Sequence, residues 1–242
     1  YLFGRDENKK KIIKRVEGFL PYFYVLSNEY IPPNLPILKV EDGYKNLFNQ
    51  DVKKIITSHP KEIALLRNHF KTTFEDDLVF ELRFLIDNLD NLEKQGMKWI
   101  GGFNEWRTCF IDIETTTEHG FPDVSTTLNQ MTAITIHDSY DKKYHCFVWR
   151  EDLKEEIRQD NDKITYLFNN EIRMLKEFIK IFSNLQFDII TAWNSPFDLP
   201  YLLNRLKLLN IPFRSMSSIN KIYTREARSK DERKYIDVII GG

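Results

Sequence analysis

The chain has 242 residues, enough for one large domain or two modest domains that each bury a core. Its 35 Lys and Arg residues nearly balance 36 Asp and Glu residues, and this net charge of −1 gives no support to a polybasic nucleic-acid wrapper or an acidic disordered tail. A hydrophobic fraction of 42% predicts a packed globular chain. Two cysteines cannot form a disulfide framework or a four-cysteine zinc site, which favours a reducing cytoplasm.

The near-neutral total conceals an uneven distribution of charge along the chain. Residues 105–200 are net acidic and residues 201–242 are net basic. Two solvated surfaces explain this pattern as well as ligand sites do. The chain begins at Tyr1 without Met and ends on a strand-like run, so we expect a piece of a longer protein. No apolar run is long enough to span a membrane.

The first part of the chain predicts a small α+β domain. Three runs have the composition of strands: Lys11–Val16, Phe19–Leu26 and Lys53–Thr57. The three prolines of Ile31–Pro36 predict a loop or sheet edge. Pro60 predicts the start of a helix in which Ile63, Leu66 and Phe70 recur at helical spacing. The polar, glycine-containing stretch Gly96–Gly102 predicts a boundary between domains at 1–100 and 101–242.

The second part predicts a mixed sheet flanked by helices, an α/β (α+β) fold. Five runs predict strands: Thr108–Ile113, Met131–His137, Lys143–Trp149, Ile164–Phe168 and Phe187–Ala192. Three segments predict helices: a charged one at Glu151–Asp160, one with the apolar face Ile172, Leu175, Phe178, Ile179 and Phe182, and one at Leu199–Leu209. We find no internal repeat.

The first candidate site residues are Asp112 and Glu114, in the run Phe110–Thr115. Residues two apart on a strand project from the same face, so the two carboxylates lie side by side. Enclosed carboxylates require a cation, and paired hard oxygen ligands suit Mg²⁺ or Mn²⁺. A pair of solvated acids on a surface strand explains the same spacing, because Asp-x-Glu alone is a weak signal.

The second candidate segment joins a buried strand to a helix through Trp193, Asn194, Phe197 and Asp198. An acidic residue at a helix N-terminus is favoured by the helix dipole, and this alone explains Asp198. It leaves unexplained the two aromatic residues around Asn194 at the end of a strand. Aromatic side chains there can stack on a base, and Asn can donate to it or accept from it.

Together the two segments resemble the first two exonuclease motifs of family B DNA polymerases. Phe110–Thr115 is similar to the Asp-Ile-Glu-Thr element, and Ile190–Arg205 is similar to the Asn…Phe-Asp-x-Pro-Tyr-Leu-x-x-Arg element. Four further runs resemble the N-terminal domain of archaeal and viral members: Phe3-Gly4-Arg5-Asp6, Pro21-Tyr22-Phe23-Tyr24, Phe74-Glu75-Asp76-Asp77 and Arg83-Phe84-Leu85-Ile86-Asp87. The resemblance therefore covers nearly the whole chain.

The resemblance implies a ribonuclease-H-like domain that removes mispaired 3′-terminal nucleotides of DNA during replication, with two divalent ions, Mg²⁺ or Mn²⁺. It implies that Asp112 bridges the two ions, that Glu114 binds the ion on the nucleophile side, and that Asp198 completes the acidic wall. Asn194 and Phe197 would hold the single-stranded primer end. Thr115 is a further candidate at the substrate.

The implied partners are template-primer DNA and the remaining polymerase domains, with a sliding clamp as a further candidate and no membrane. Two strands, Ile219–Thr224 and Lys234–Ile240, flank the charged run Arg225–Arg233 and predict a hairpin. In the family, a hairpin from this region helps to separate the primer strand, so Arg225 and Arg228 are candidate phosphate contacts. A solvated hairpin tip is an equal alternative.

Three features depart from the family pattern. Only two residues separate Asn194 from Phe197, whereas archaeal and viral members have three. The third exonuclease motif, Tyr-x-x-x-Asp, is absent from the sequence, as are the palm, fingers and thumb. We therefore expect weak or no exonuclease activity from this chain alone. The alternatives are a free-standing nuclease on DNA or RNA, and a nuclease-like domain that only binds nucleic acid.

Overall fold

The structure, a computed structural model, describes residues 1–97, 106–228 and 234–241. The chain forms two compact units. The first unit is Arg15–Ile100 with Tyr1, and the second is Leu2–Lys14 with Gly101–Gly242. The predicted division at residue 100 did not anticipate that Leu2–Lys14 joins the second unit. Most of the predicted linker Gly96–Gly102 lies outside the described residues.

The N-terminal segment of the second unit is a pair of antiparallel strands, β1 (Leu2–Arg5) and β2 (Lys11–Lys14). β2 agrees with the predicted strand, whereas β1 was not predicted. Asp6 closes the turn between them, because its side chain accepts hydrogen bonds from the backbone of Asn8 and Lys10. This local turn joins the two strands into a hairpin, and Arg5 and Lys11 connect the hairpin to Asp188.

The first unit is an antiparallel sheet with two helices. Its elements are β3 (Tyr22–Leu26), β4 (Lys39–Lys45), β5 (Asp51–Ile56), α1 (Pro60–Leu66), β6 (Thr73–Phe74) and α2 (Phe80–Lys94), with strand order β4-β5-β3-β6. Phe23, Val25, Ile55 and Leu66 form its buried core. α1 begins at Pro60 as predicted, behind a capping box of His59 and Glu62. α2 was not predicted.

The second unit contains a six-stranded mixed sheet. Its strands are β7 (Thr108–Thr115), β8 (Met131–Asp138), β9 (Lys143–Trp149), β10 (Glu156–Asp160), β11 (Lys163–Phe168) and β12 (Ile189–Thr191). The spatial order is β10-β11-β9-β8-β7-β12. β7, β8 and β9 form an antiparallel meander, whereas β12 lies parallel to β7 and β11 parallel to β9. The predicted mixed sheet with flanking helices is confirmed.

Two helices pack against this sheet. α3 (Glu171–Leu185) packs against β8, β9 and β11, and α4 (Ser195–Leu208) packs against β7. The Asn170 side chain caps α3 by accepting from the Arg173 backbone. The buried face of α3 contains Met174 in place of the predicted Ile172, which is exposed. No helix within the described ranges is long and apolar enough to cross a membrane.

The helix predicted at Glu151–Asp160 is wrong. Residues Glu156–Asp160 form β10, an exposed strand that pairs in antiparallel fashion with β11 across the turn at Asn161 and Asp162. The charged composition favoured a helix, but the turn and the pairing with an already formed strand determine the structure.

The hairpin predicted near the end of the sequence is confirmed. β13 (Ile222–Arg228) and β14 (Lys234–Ile240) pair in antiparallel register. β13 therefore starts three residues later than predicted and extends to Arg228. The remainder of the predicted tip, residues 229–233, lies outside the described residues.

Candidate active site

The alternation of side chains along β7 places Asp112 and Glu114 on one face of the sheet. Cys109, Ile111 and Ile113 are buried on the opposite face, where they join the core. Asp112 and Glu114 are exposed, so the strand buries neither acid and both carboxylates remain available to a ligand. This geometry agrees with the predicted side-by-side arrangement.

A register shift follows directly after this pair of acids. Glu114 is opposite Ala133, but the next residue, Thr115, is opposite Met131. The ladder therefore skips one residue of β8, as in a β-bulge. Such an irregularity turns the end of the strand and re-aims its side chains. Thr115 is half-buried at this turn.

Asp198 is brought to the same edge of the sheet by parallel strand pairing. β12 lies beside β7 in parallel, so the carboxyl ends of the two strands meet at one edge. After β12 the chain passes Asn194 and starts α4 at Ser195, with Pro196 in the first turn where its missing N–H costs no hydrogen bond. Asp198 follows in that first turn.

The environment of Asp198 is unfavourable for a negative charge. The residue is only 4% exposed, and its Oδ2 atom is buried without a hydrogen-bond partner. Burial, followed by the negative charge of Asp112, raises the pKa of Asp198 to about 6, and Glu114 adds to this effect. A hydrogen bond with the backbone of Asn194 acts in the opposite direction. These effects show that the three carboxyl groups are electrostatic neighbours.

The donor set fits a divalent cation. An unpartnered buried carboxylate oxygen beside two exposed carboxylates offers hard oxygen ligands and an excess of negative charge that a cation would relieve. In residues 1–97, 106–228 and 234–241, however, no three His, Cys, Asp or Glu side chains already stand close enough to hold one ion. The structure thus shows electrostatic proximity of the three carboxyl groups without a preformed three-ligand site among these residues.

The aromatic residues around Asn194 differ in their surroundings. Trp193 is fully exposed at the end of β12. Phe197 is half-buried, packs against the core, and has its ring centroid 5.3 Å from that of Tyr201. Asn194 is exposed, and its side chain makes no capping hydrogen bond to α4. Trp193 and the Asn194 amide thus face solvent next to Asp198.

The two candidate arginines belong to the β13–β14 hairpin. Arg225 is exposed and lies opposite Asp237 in the ladder. Arg228 is the last residue of β13 and lies opposite Lys234. Both arginines lie on β13, whereas the three carboxylates lie on β7 and α4. The partner strand β14 packs against α4.

A buried ion pair between α4 and α3 was not predicted from the sequence. Arg205 Nε and Nη2 donate to Glu171 at 2.8 and 2.6 Å, and both side chains are less than a tenth exposed. Arg205 is the last residue of the second motif and lies within a predicted helix. Its charge could have suggested that it has an acidic partner. Nothing in the sequence pointed to Glu171, which is the first residue of α3.

The comparisons with known proteins agree with this geometry. Residues 80–238 match the family model of the exonuclease domain of family B DNA polymerases. The chain belongs to this family. Its predicted ribonuclease-H-like fold is consistent with the mixed sheet and flanking helices, and exonuclease domains of this family are metal-dependent nucleases.

The relatives include DNA polymerases from phages, a eukaryote and archaea. The DNA-directed DNA polymerase of Escherichia phage RB69 is 30% identical over 123 residues, which cover 42% of this chain and 14% of that protein. The corresponding polymerase of Enterobacteria phage T4 is 26% identical over 257 residues, with 90% of this chain and 25% of that protein covered. The DNA polymerase delta catalytic subunit of Schizosaccharomyces pombe is 24% identical over 289 residues, with 87% and 26% covered. The chain thus spans about a quarter or less of these relatives.

Proposed function

We propose that the chain is the proofreading part of a DNA-directed DNA polymerase and acts on the 3′ end of DNA as a 3′–5′ exonuclease. The observation that carries the proposal is the convergence of Asp112, Glu114 and the buried Asp198 at one sheet edge, in a chain of this family. A free-standing nuclease would need a fourth carboxylate, and the sequence contains no Tyr-x-x-x-Asp element to supply it.

The three carboxylates would hold two divalent ions, Mg²⁺ or Mn²⁺, with Asp112 shared between them, Glu114 on the nucleophile side and Asp198 completing the wall. Bound metal would supply an activated water and would neutralise charge on the scissile phosphate. Asp112 and Glu114 are exposed on β7 and are therefore open to a ligand.

Binding of the substrate would involve the surface next to Asp198. The exposed Asn194 amide would bond the terminal nucleotide, and the exposed Trp193 would stack on a base. Phe197, which packs on Tyr201, would hold the primer end together with Asn194. Thr115 would also contact the substrate. Arg225 and Arg228 would bind phosphates farther along the DNA. The remaining polymerase domains and a sliding clamp are further proposed partners.

Binding of Mn²⁺, followed by electron paramagnetic resonance, tests the proposal. The wild-type chain should bind Mn²⁺, and Asp112→Ala with Glu114→Ala should weaken binding at least about tenfold because two ligands are removed. Glu118→Ala removes an exposed acid from the following loop and should leave the affinity unchanged. A wild-type chain that does not bind Mn²⁺, or a double variant that binds equally well, would contradict the proposal.

A second measurement concerns activity on 3′-labelled single-stranded DNA. Because the sequence lacks the third motif, we expect weak release of nucleotides, or none, from the chain alone, and any release should require the metal. Robust trimming that survives Asp112→Ala would refute both the site and the mechanism. A domain that only binds nucleic acid would instead still bind the DNA when a chelator removes the metal, and it would bind no Mn²⁺.

A further inference from the structure

Three side chains of α4 hold the loop that follows the acidic strand. This loop, Thr116–Gln130, connects β7 to β8 and is called the β7–β8 loop below. The hydrogen bonds run from Tyr201 Oη to the carbonyl of Asn129 (2.7 Å), from Asn204 Nδ2 to that of Val124 (2.9 Å) and from Arg205 Nη1 to that of Thr127 (2.8 Å). All three donors lie within two turns of Asp198.

The β7–β8 loop is held in a strained conformation. Thr127 is buried and has φ of 46°, in the left-handed region that a β-branched residue rarely adopts. Asn129 is also buried, and its side chain accepts from the His119 backbone and donates to the Gly120 carbonyl. Such a conformation persists only when surrounding contacts determine it, and the α4 donors are among these contacts.

Arg205 connects the loop to two further elements. Its guanidinium forms the bidentate pair with Glu171, the first residue of α3. The same Glu171 carboxylate accepts from the backbone of Met131, the first residue of β8, at 2.9 Å. The start of α3, the start of β8 and the β7–β8 loop are thus all joined through one side chain of α4.

These contacts join the two segments that carry the carboxylates. The β7–β8 loop starts immediately after Glu114 and Thr115, whereas α4 carries Asp198 in its first turn. A buried hydrogen-bonded network of this kind restricts movement of one segment relative to the other.

We propose that Tyr201, Asn204 and Arg205 are positioning residues that set the separation between Asp198 and the Asp112–Glu114 pair, and thereby the affinity of the site for a divalent cation. This proposal rests on the proposed function. The three side chains act by fixing the β7–β8 loop, which follows the Asp112–Glu114 pair, to α4, which carries Asp198.

Two mild variants test the proposal. Tyr201→Phe and Asn204→Ala each remove one hydrogen bond to the loop, whereas removal of Arg205 would leave Glu171 buried without its partner and endanger folding. We expect each mild variant to bind Mn²⁺ about tenfold more weakly, the loss typical of residues that orient metal ligands. Hydrogen exchange at the His119 and Thr127 amides should accelerate in the same variants.

Asn88→Ala is the matched control, because Asn88 Nδ2 also donates to a carbonyl at 2.9 Å, that of Phe84 within α2. It should leave Mn²⁺ affinity and loop exchange unchanged. If the side chains only stabilise the fold, the two variants would have a lower melting temperature and an unchanged affinity for Mn²⁺. That result would overturn the proposal. Failure of the wild-type chain to bind Mn²⁺ would overturn the proposed function as well, so the two failures are distinguishable.

Discussion

Asp198 combines a stabilising position with a destabilising environment. The first turn of α4 favours a negative charge through the helix dipole. Burial and the charges of Asp112 and Glu114 disfavour that charge, and one carboxylate oxygen has no partner. An acid in such surroundings is more readily explained by ligand binding than by stability.

The pH dependence of stability follows from the raised pKa of Asp198. The pKa is about 6 in the folded chain against 3.8 as the ordinary value, so the folded state prefers the protonated form. The free energy of unfolding therefore falls as pH rises from about 4 through 6. In chelator at pH 8, Asp198→Asn should be more stable than the wild type by about 1–3 kcal/mol, and the difference should shrink towards pH 4. Thermal unfolding across this pH range measures it.

Asp123 is a control, because its pKa is shifted in the opposite direction to that of Asp198. Hydrogen bonds from the side chain and backbone of Ser125 lower the pKa of Asp123, which is exposed. The contribution of Asp123 to the free energy of unfolding is present above the ordinary pKa of Asp. It is lost as the pH falls through the lowered pKa. Asp123→Asn should therefore not stabilise the chain at pH 8. A destabilised Asp198→Asn variant at pH 8 would contradict the assignment of the raised pKa.

At the scale of elements, the segments with one buried face were predictable. β9 was predicted with its observed bounds, and β7, β8, β11 and α3 within a few residues, because their apolar residues recur with the period of a strand or helix. The acidic pair and Asp198 were each visible in these local patterns. Their proximity was not, since it depends on the parallel pairing of β7 with β12.

The elements that were missed lack a buried periodic face or a terminal signal. β10 is exposed at every residue and is defined by its pairing with β11. α2 starts after Val79, which offers no side-chain cap, and only Leu92 on it is buried. The Arg205–Glu171 pair joins residues 34 positions apart, a separation that no local pattern reveals.

Asp188 anchors the β1–β2 hairpin, and its removal should be costly. Its carboxylate accepts from Arg5 Nε at 2.7 Å and from the Arg107 backbone at 2.9 Å, and it pairs with the buried Lys11 ammonium at 3.4 Å. Asp188→Ala would leave two largely buried cations with less compensation. We expect the free energy of unfolding in urea to fall by about 3 kcal/mol.

Asp152→Ala is the control for this change. Asp152 forms an ion pair with Arg150 in which both side chains are about two-thirds exposed, so solvent screens the interaction. Its removal should cost no more than about 0.5 kcal/mol. Equal destabilisation of the two variants would mean that the Asp188 contacts do not hold the hairpin.

At the scale of the whole molecule, the net charge of −1 is an average over regions with different roles. The acidic central part of the sequence contains the three carboxylates that suit a cation, and the basic last part contains the β13–β14 hairpin. Because the chain spans about a quarter or less of its polymerase relatives from the two phages and the yeast, this charge balance describes only one part of the proposed enzyme.

The salt dependence of DNA binding tests the role of the hairpin. If Arg225 and Arg228 each bind a phosphate, neutralising both should make the slope of log K against log salt shallower, by about 0.7 for each phosphate that is no longer neutralised on single-stranded DNA. The matched control is Arg150→Ala with Arg158→Ala, which removes two exposed arginines that pair with Asp152 and Glu156. Fluorescence anisotropy with a labelled oligonucleotide, titrated at several salt concentrations, measures both slopes. An unchanged slope in the hairpin variant, or an equal change in the control, would mean that the basic hairpin is a solvated tip and does not bind the phosphate backbone.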